Sequence, residues 1–446
     1  MRLLKWGWDA ILPQPCLVPA ISVGMMAKAQ VDKYHSMGRL KLLIFMMFAM
    51  FAMTTDSAGT IIPSIIREFG LGMTAAGSFH YASMSGIGLA AILLGFLADR
   101  LGHKPAILLG LSLFGIGSAL FAVGNNFGFF VVLLFLAGLG IGIFKSGALA
   151  LIGDISGSTR QHAANMNLVE GFFGVGAIIG PALVTMLLQG GMSWKWLYLI
   201  AGALCALLIV GVVLAPFPHA SGRAEQRADP RDAMRMIGDS HALFFATLLM
   251  LYVAAEAAIY VWAPTYFAGY QGPAAWLAAF SVSVFFILRA AGRFLGVWLL
   301  ARFEWFAVLT LCSTVVAALF VISLVGGRSV AVFALPASGL FMSVLYPTIN
   351  STGISCFDKS RHGSIAGFLL FFTCLGAVLA PLAMGAIGDW LGGIEYSMGL
   401  GAMFSVLLAM LCLWNSISQP VSARLARRNT ADYAEESLAK RSEAAA

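Results

Sequence analysis

The chain has 446 residues, 60% of them hydrophobic and only 11% charged, and it carries a net charge of +7. Soluble domains average about 25% charged residues, so the composition excludes a soluble globular domain and reads as an integral membrane protein. The positive excess then bears on orientation in a bilayer and not on nucleic acid. Cys16, Cys205, Cys312, Cys356, Cys374 and Cys412 are scattered with no Cys-x-x-Cys, which gives neither a disulfide framework nor a metal site.

Residues 1–38 begin with a basic stretch and a mildly apolar run from Ile11 to Met26, as a signal peptide would, but Pro13, Pro15 and Pro19 interrupt it. The segment reads as a cytoplasmic N-terminal extension, with Met25, Met26 and Met37 as alternative starts. A membrane span needs about 20 apolar residues. Twelve segments qualify: 40–66, 75–97, 105–123, 128–152, 163–187, 196–216, 242–269, 275–300, 305–325, 329–353, 364–387 and 396–416. Gly70-Leu-Gly72, Gly124-Asn-Asn126, Gly190-Gly191, Gly326-Gly-Arg328 and Gly392-Gly393 mark turns between them. Pro218 to Asp239 interleaves arginines with acids and reads as a solvated linker. The predicted units are an N-terminal six-helix half at 39–217, a cytoplasmic linker at 218–240, a C-terminal six-helix half at 241–418 and a cytoplasmic tail at 419–446.

With the N-terminus inside, the outer loops carry only Arg67, Lys195 and Arg328. Arg100, Lys104, Arg160, Arg302, Lys359, Arg361 and the basic residues of linker and tail all fall inside. The positive-inside rule therefore predicts both termini in the cytoplasm of a bacterial-type inner membrane. An internal repeat runs at an offset of 200: Gly176-Ala-Ile-Ile-Gly-Pro181 matches Gly376-Ala-Val-Leu-Ala-Pro381, and Gly153 matches Gly353. Asp56 falls opposite Glu256, each the lone acid of its half's first span. Two parallel repeats with a cavity between them near the midplane are the layout of a secondary transporter.

Gly95-Phe-Leu-Ala-Asp-Arg-Leu-Gly-His-Lys-Pro105 joins the second and third spans. Gly95 allows close approach of a helix end, and Gly102 permits a turn that a side chain would strain. Asp99 can meet the N-terminus of the next helix, and Arg100 and Lys104 hold the loop on the cytoplasmic side. The pattern G-x-L-A-D-R-x-G-x-K resembles the helix 2–3 loop signature of the major facilitator superfamily. That resemblance implies an all-α membrane protein, twelve transmembrane helices in two six-helix parallel repeats, with this loop as a conformational switch. The counterpart from Gly296 to Phe306 has Leu300 where the first half has Asp99, so the charged latch is one-sided and is expected to favour the outward-facing state.

A charge inside a membrane helix costs roughly 2.5–3.5 kcal/mol on insertion scales, so it must face protein or water. Asp56, Lys145, Glu170, Glu256, Arg289 and Arg293 are such residues. Glu256 and Arg289 each lie about 14 residues from a span end, which puts both near the midplane and in position to pair. Lys145 and Glu170 each lie about seven residues from the cytoplasmic face and are placed to pair likewise. Asp56 has no basic residue at its depth. It is either the carrier of a coupling proton or a structural acid bound to Thr54, Thr55 and Ser57. Glu256 and Tyr260 share a helical face, with Trp262 nearby. Aromatic rings beside hydrogen-bonding groups suit a sugar; they also fill bundle cores. Asn167 and Glu170 face one way on their helix, and Asn350 lies near a span end as a ligand or a cap. Gly171, Gly174, Gly176 and Gly180 read as packing positions, and His80 and Tyr81 as packing residues or ligands alike.

A narrower resemblance runs from Leu40 to Ile417. Gly292-Arg-Phe-Leu-Gly-Val-Trp-Leu-Leu-Ala-Arg-Phe303, Phe341-Met-Ser-Val-Leu-Tyr-Pro-Thr-Ile-Asn-Ser-Thr-Gly-Ile354, Asn167-Leu-Val-Glu-Gly-Phe-Phe-Gly-Val-Gly-Ala177 and Leu251-Tyr-Val-Ala-Ala-Glu256 resemble segments of helices 8, 10, 5 and 7 of the fucose/galactose/glucose:proton symporters. The resemblance implies sugar uptake with a proton, Asn167 as a sugar contact, and a coupling glutamate in helix 4. Here Gly138-Leu-Gly-Ile-Gly-Ile-Phe-Lys145 puts a lysine at that place, which either neutralises Glu170 or attracts an anionic substrate such as a sugar acid.

The expected function is inward transport of a monosaccharide or sugar derivative with a proton. Asp56, Glu256 and Glu170 are the proton-coupling candidates. Asn167, Lys145, Tyr260, Trp262, Arg289 and Asn350 are the substrate-binding candidates. The alternatives are an importer of sugar acids or other organic anions, and a proton-coupled exporter of drugs or metabolites. Gly176 to Pro181 resembles the antiporter helix 5 motif but lacks its trailing glycines. No nucleotide loop, nucleophile–base constellation or metal spacing is present, so neither enzymatic activity nor a cofactor or metal is expected. The expected partners are a small-molecule substrate, a proton and the lipid bilayer, with no nucleic acid, around a monomer.

Overall fold

Hydrocarbon offers no partner for a free N–H or C=O, so a chain this apolar must satisfy its backbone within helices or a closed barrel. The computed structural model describes residues 23–94, 100–156, 159–217, 236–358, 361–421 and 425, and among them every regular element is a helix. They are α1 (Met37–Phe69), α2 (Ser78–Leu93), α3 (His103–Ala122), α4 (Phe127–Asp154), α5 (Ala164–Gln189), α6 (Trp196–Leu214), α7 (Ser240–Tyr266), α8 (Ser281–Leu300), α9 (Trp305–Val325), α10 (Gly327–Ser355), α11 (Ser364–Leu391) and α12 (Ile394–Ser418). Eleven are long and apolar enough to cross a membrane; α2 is described over 16 residues and ends near the undescribed segment 95–99. The predicted spans recur to within several residues, except that short separate turns, Met73–Ala76 and Ala275–Ala279, precede α2 and α8, and the end of the predicted span 75–97 lies outside the described residues.

Helix ends follow from local chemistry. The Asn126 side chain accepts from the amides of Gly128 and Phe129 at the start of α4, and Asp239 does the same for His241 and Ala242 at the start of α7. Gly70 closes α1 in the left-handed region at φ 62°.

The helices pack by the same rule twice. In the first half α1 lies on α5 and α6, α4 on α2 and α3, and α3 on α6. In the second, α7 lies on α11 and α12, α10 on α8 and α9, and α9 on α12. Glycines set the matching contacts. Gly138 of α4 sits on the Ser83 carbonyl of α2, and Gly339 of α10 on the Phe285 carbonyl of α8. Gly176 of α5 meets the Ala49 carbonyl of α1, and Gly376 of α11 meets the Met250 carbonyl of α7. Small residues let these backbones touch, which is where dispersion contacts come from when lipid is as apolar as the core. Leu214, Val325 and Ile417, exposed by 78%, 85% and 75%, point out of the bundle as acyl chains require.

The four glycines of α5 do not act alike. Gly176 and Gly180 are pressed on the Ala49 and Met53 carbonyls of α1, whereas Gly171 and Gly174 have nothing within 4 Å. The packing reading therefore holds for the first pair only; the second pair faces open space. Gly180→Leu should cost about 1–3 kcal/mol or more through overpacking and lower the melting temperature in detergent, while Gly171→Ala should leave it unchanged. Equal melting of the two variants would contradict this division.

Two irregularities matter for the site. The first span breaks at Asp56 and Ser57, between the helices Val23–Thr55 and Ala58–Phe69. In the matching place α7 widens into a π-helical turn over Ala258–Trp262. Pro264 has no N–H to offer the Tyr260 carbonyl four residues back, which loosens this turn. The first distortion holds Asp56 itself, and the second begins two residues after Glu256.

Candidate functional site: a charged cleft between the halves

The two distorted turns meet where the halves touch. A side chain at Gly59 would collide with the backbone of Tyr260 and Val261, and the Tyr260 ring stands edge-on to His80, centroids 5.4 Å apart. On the side of this contact nearer Arg100 lie the charges of the membrane helices. Arg289 Nη1 is 2.7 Å from Glu256 Oε1, and the Tyr252 hydroxyl donates to the same oxygen at 3.0 Å. The pairing read from helix depth is thus formed, with Tyr252 one turn before Glu256 as an addition.

The second expected pair is not formed. Glu170 is met instead by Arg293, whose Nη2 is 3.7 Å from Glu170 Oε2. Arg293 lies one turn beyond Arg289 on α8, and α8 packs on α5. Lys145 stands over the Phe173 ring, 5.2 Å from its centroid. Among the described residues it makes no ion pair, and the charges of Glu170 and Asp56 act on it only through space.

Asp56 is half-buried at the break in the first span. Only Thr55 Oγ1 comes near its carboxylate, at 3.4 Å. Thr54 Oγ1 donates to the Phe51 carbonyl at 2.9 Å, and Ser57 Oγ to the Met53 carbonyl at 2.6 Å. The hydroxyls expected to make it a structural acid are therefore mostly committed to the backbone. Among the described residues Asp56 has no ion pair; Arg289, Glu256 and Lys145 act on it at a distance.

The remaining candidates divide. Asn167 and Glu170 are exposed on the same stripe of α5 as Gly171 and Gly174, and Glu170 reaches the other half, so this stripe faces the cleft. Tyr260 is only 8% exposed. Trp262 is fully enclosed and its Nε1 donates to the Pro381 carbonyl at 3.1 Å, so in this conformation its ring packs. Asn350 is half-buried inside α10, which runs on to Ser355, and does not cap it. His80 Nε2 lies 3.2 Å from the Ala377 carbonyl and the Tyr81 hydroxyl donates to the Pro381 carbonyl at 3.4 Å, both across the halves. Tyr346, whose ring lies 5.7 Å from that of Tyr252, and Asp389 escaped the sequence reading. Tyr252 was legible as the residue four before Glu256, just as Tyr260 is four after it.

Of the motif loop, Gly95 and Asp99 lie outside the described residues. Gly102 adopts φ 86° and ψ 164°, a conformation that a side chain would strain, as expected of it. Lys104 Nζ donates to the carbonyls of Val213 and Ala215 at 2.9 and 3.1 Å, so its charge sits on the carbonyl end of α6. His103 Nε2 lies 2.9 Å from Asp154 Oδ2 at the end of α4, and Arg100 is exposed.

The cleft is shut at the end that holds Gly70. Asp389 of α11 accepts from the amides of Met73 and Thr74 at 2.6 and 2.8 Å. Nearby, Thr185 Oγ1 donates to the Ala279 carbonyl at 3.0 Å and Ser283 Oγ to the Ile178 carbonyl at 2.9 Å. Toward the Arg100 end, Gly171 and Gly174 of α5 and Gly367 of α11 face empty space. The cleft therefore opens there, and the charges lie along it.

Two helical repeats around a cleft that is closed at one end and charged at its middle define a multi-pass membrane transporter, not an enzyme. The chain belongs to the major facilitator superfamily, whose family model matches residues 42–381. Among its relatives, the L-fucose-proton symporter of Escherichia coli K12 is 26% identical over 411 residues, covering 84% of this chain and 93% of the relative. Protein TsgA of Shigella flexneri is 22% identical over 384 residues, covering 85% and 96%. The crystal structure of FucP, a major facilitator transporter in the outward conformation, shares 25% identity with a TM-score of 0.58, covering 84% of this chain and 98% of that one. A bacterial homolog of the human lysosomal transporter Spinster, in an inward-facing and occupied conformation, shares 13% identity with a TM-score of 0.72, covering 87% and 97%.

Proposed function

We propose that this chain carries a monosaccharide or sugar derivative into the cell together with a proton, by alternating access. The observation that carries the reading is Asp56: a half-buried carboxylate at a helix break, beside the cleft, with no ion pair among the described residues. Such a group takes a proton when the cleft faces one side and loses it when the cleft faces the other. The identity with an L-fucose-proton symporter over most of both chains supports sugar and proton as the two cargoes.

In this reading the Arg100 end is cytoplasmic by the positive-inside rule, so both termini are cytoplasmic and the structure is inward-open. The modest TM-score against outward FucP supports that state. It is opposite to the outward-facing state expected of the one-sided loop. Residues 39–217 and 241–418 are the rocking halves, 218–240 joins them, and the monomer in the bilayer is the working unit. Glu256 and Glu170 are held by arginines and act as switchable ion pairs, while Asn167, Tyr260 and Asn350 meet hydroxyls.

Purified protein in liposomes, given an inward proton gradient and a panel of labelled hexoses and hexose derivatives, tests this. Gradient-driven accumulation of any of them is expected. Extrusion of the solute against the same gradient would establish the exporter instead.

A further inference from the structure

The cleft holds three cations and three anions among its described residues, and their pairing is uneven. Arg289 neutralises Glu256, and Arg293 lies against Glu170. That leaves Lys145 and Asp56, neither in an ion pair, each feeling the other through space. The other titratable groups facing this region are His80 from α2, Tyr252 and Tyr260 from α7, Tyr346 from α10 and Cys374 from α11. None of them supplies a standing negative charge at neutral pH.

Resting on the symport reading above, we propose that the cargo is a small polyhydroxy carboxylate, a sugar acid, held through its carboxylate by Lys145, and that it crosses with one proton on Asp56 in an electroneutral cycle. With Asp56 ionised, the empty cleft is balanced by Lys145. A proton on Asp56 leaves the half-buried Lys145 uncompensated among the membrane helices, which is costly until an anion arrives. A neutral sugar would not remove that cost; a carboxylate would. Proton and anion then favour each other's binding, and the loaded and empty clefts rock with the same net charge. Phe173 supports the ammonium from one side through its ring face, leaving the three N–H donors of Lys145 for carboxylate oxygens. Gly171 and Gly174, side-chain-free and facing open space on the same helix as Phe173, leave room for the rest of the molecule.

The test is accumulation in liposomes of D-galacturonate and D-gluconate against D-galactose and L-fucose, under a pH gradient alone or an inside-negative potential alone. Moving one net charge through 100 mV is equivalent to about 50-fold in accumulation ratio. The sugar acids are expected to accumulate with the pH gradient and to ignore the potential. Accumulation of a neutral hexose that rises with the potential would overturn the inference and leave the symport reading standing. Failure of every solute under both gradients would sink both. Lys145→Gln should reduce acid uptake by about 100-fold, with Lys145→Arg retaining most of it. Unchanged acid uptake by Lys145→Gln would also overturn the proposal. Should that variant not fold, the potential experiment on the unaltered protein decides.

Discussion

Asp56→Asn should abolish proton-driven accumulation while leaving exchange of solute between the two sides of the membrane intact. Asparagine keeps the size and most of the polarity of the carboxyl group but cannot gain or lose the proton. Exchange needs only that the loaded cleft rock from side to side, and the variant resembles the protonated form in charge. With one proton per solute, a gradient of one pH unit sustains about tenfold accumulation, since each factor of ten is about 1.4 kcal/mol. In the variant the ratio should fall to about one, with counterflow of labelled solute unchanged. The position supports this, because Thr54 and Ser57 are bonded to backbone carbonyls and give the carboxylate no competing role. Full accumulation by the variant would remove Asp56 from the coupling machinery.

Arg289→Met should be the most destabilising of the charge substitutions. It leaves Glu256, 6% exposed, with only the Tyr252 hydroxyl as a partner. Removing one member of a buried pair costs about 3–5 kcal/mol because the other charge stays behind. The melting temperature in detergent should drop sharply, and neutralising both partners as Glu256→Gln with Arg289→Gln should recover most of the loss without restoring transport. A single Arg289→Met variant that melts with the parent protein would show that the pair contributes nothing to the fold.

The helices were legible because twenty apolar residues leave a chain few choices, and the repeat was legible because small residues recur where backbones must touch. The Glu256–Arg289 contact was legible because both residues sit at one depth on neighbouring helices. Depth alone misled for Lys145 and Glu170. Level along the bundle says nothing of rotation about it, and Arg293, one turn past Arg289, faces Glu170 while Phe173 faces the lysine. Rotation also separated Gly171 and Gly174 from Gly176 and Gly180, which share one sequence pattern and point at different neighbours. The π-helical turn after Glu256 had only Pro264 to announce it. Asp389 carried no local signal because its partners are backbone amides more than 300 residues away.

Those two bonds to Asp389 give the protein a directional bias that no pocket residue supplies. A solute arriving from the sealed side must wait for a molecule whose clasp has released. If one molecule in ten is open that way, the apparent affinity measured from that side is weakened about tenfold, although the pocket itself is unaltered. Asp389→Ala should therefore lower the half-saturating concentration on the sealed side and leave the opposite side's value unchanged or higher. Affinity in such a protein belongs partly to its door, and a survey of substrates conducted from one face alone would rank them by how well they find it ajar.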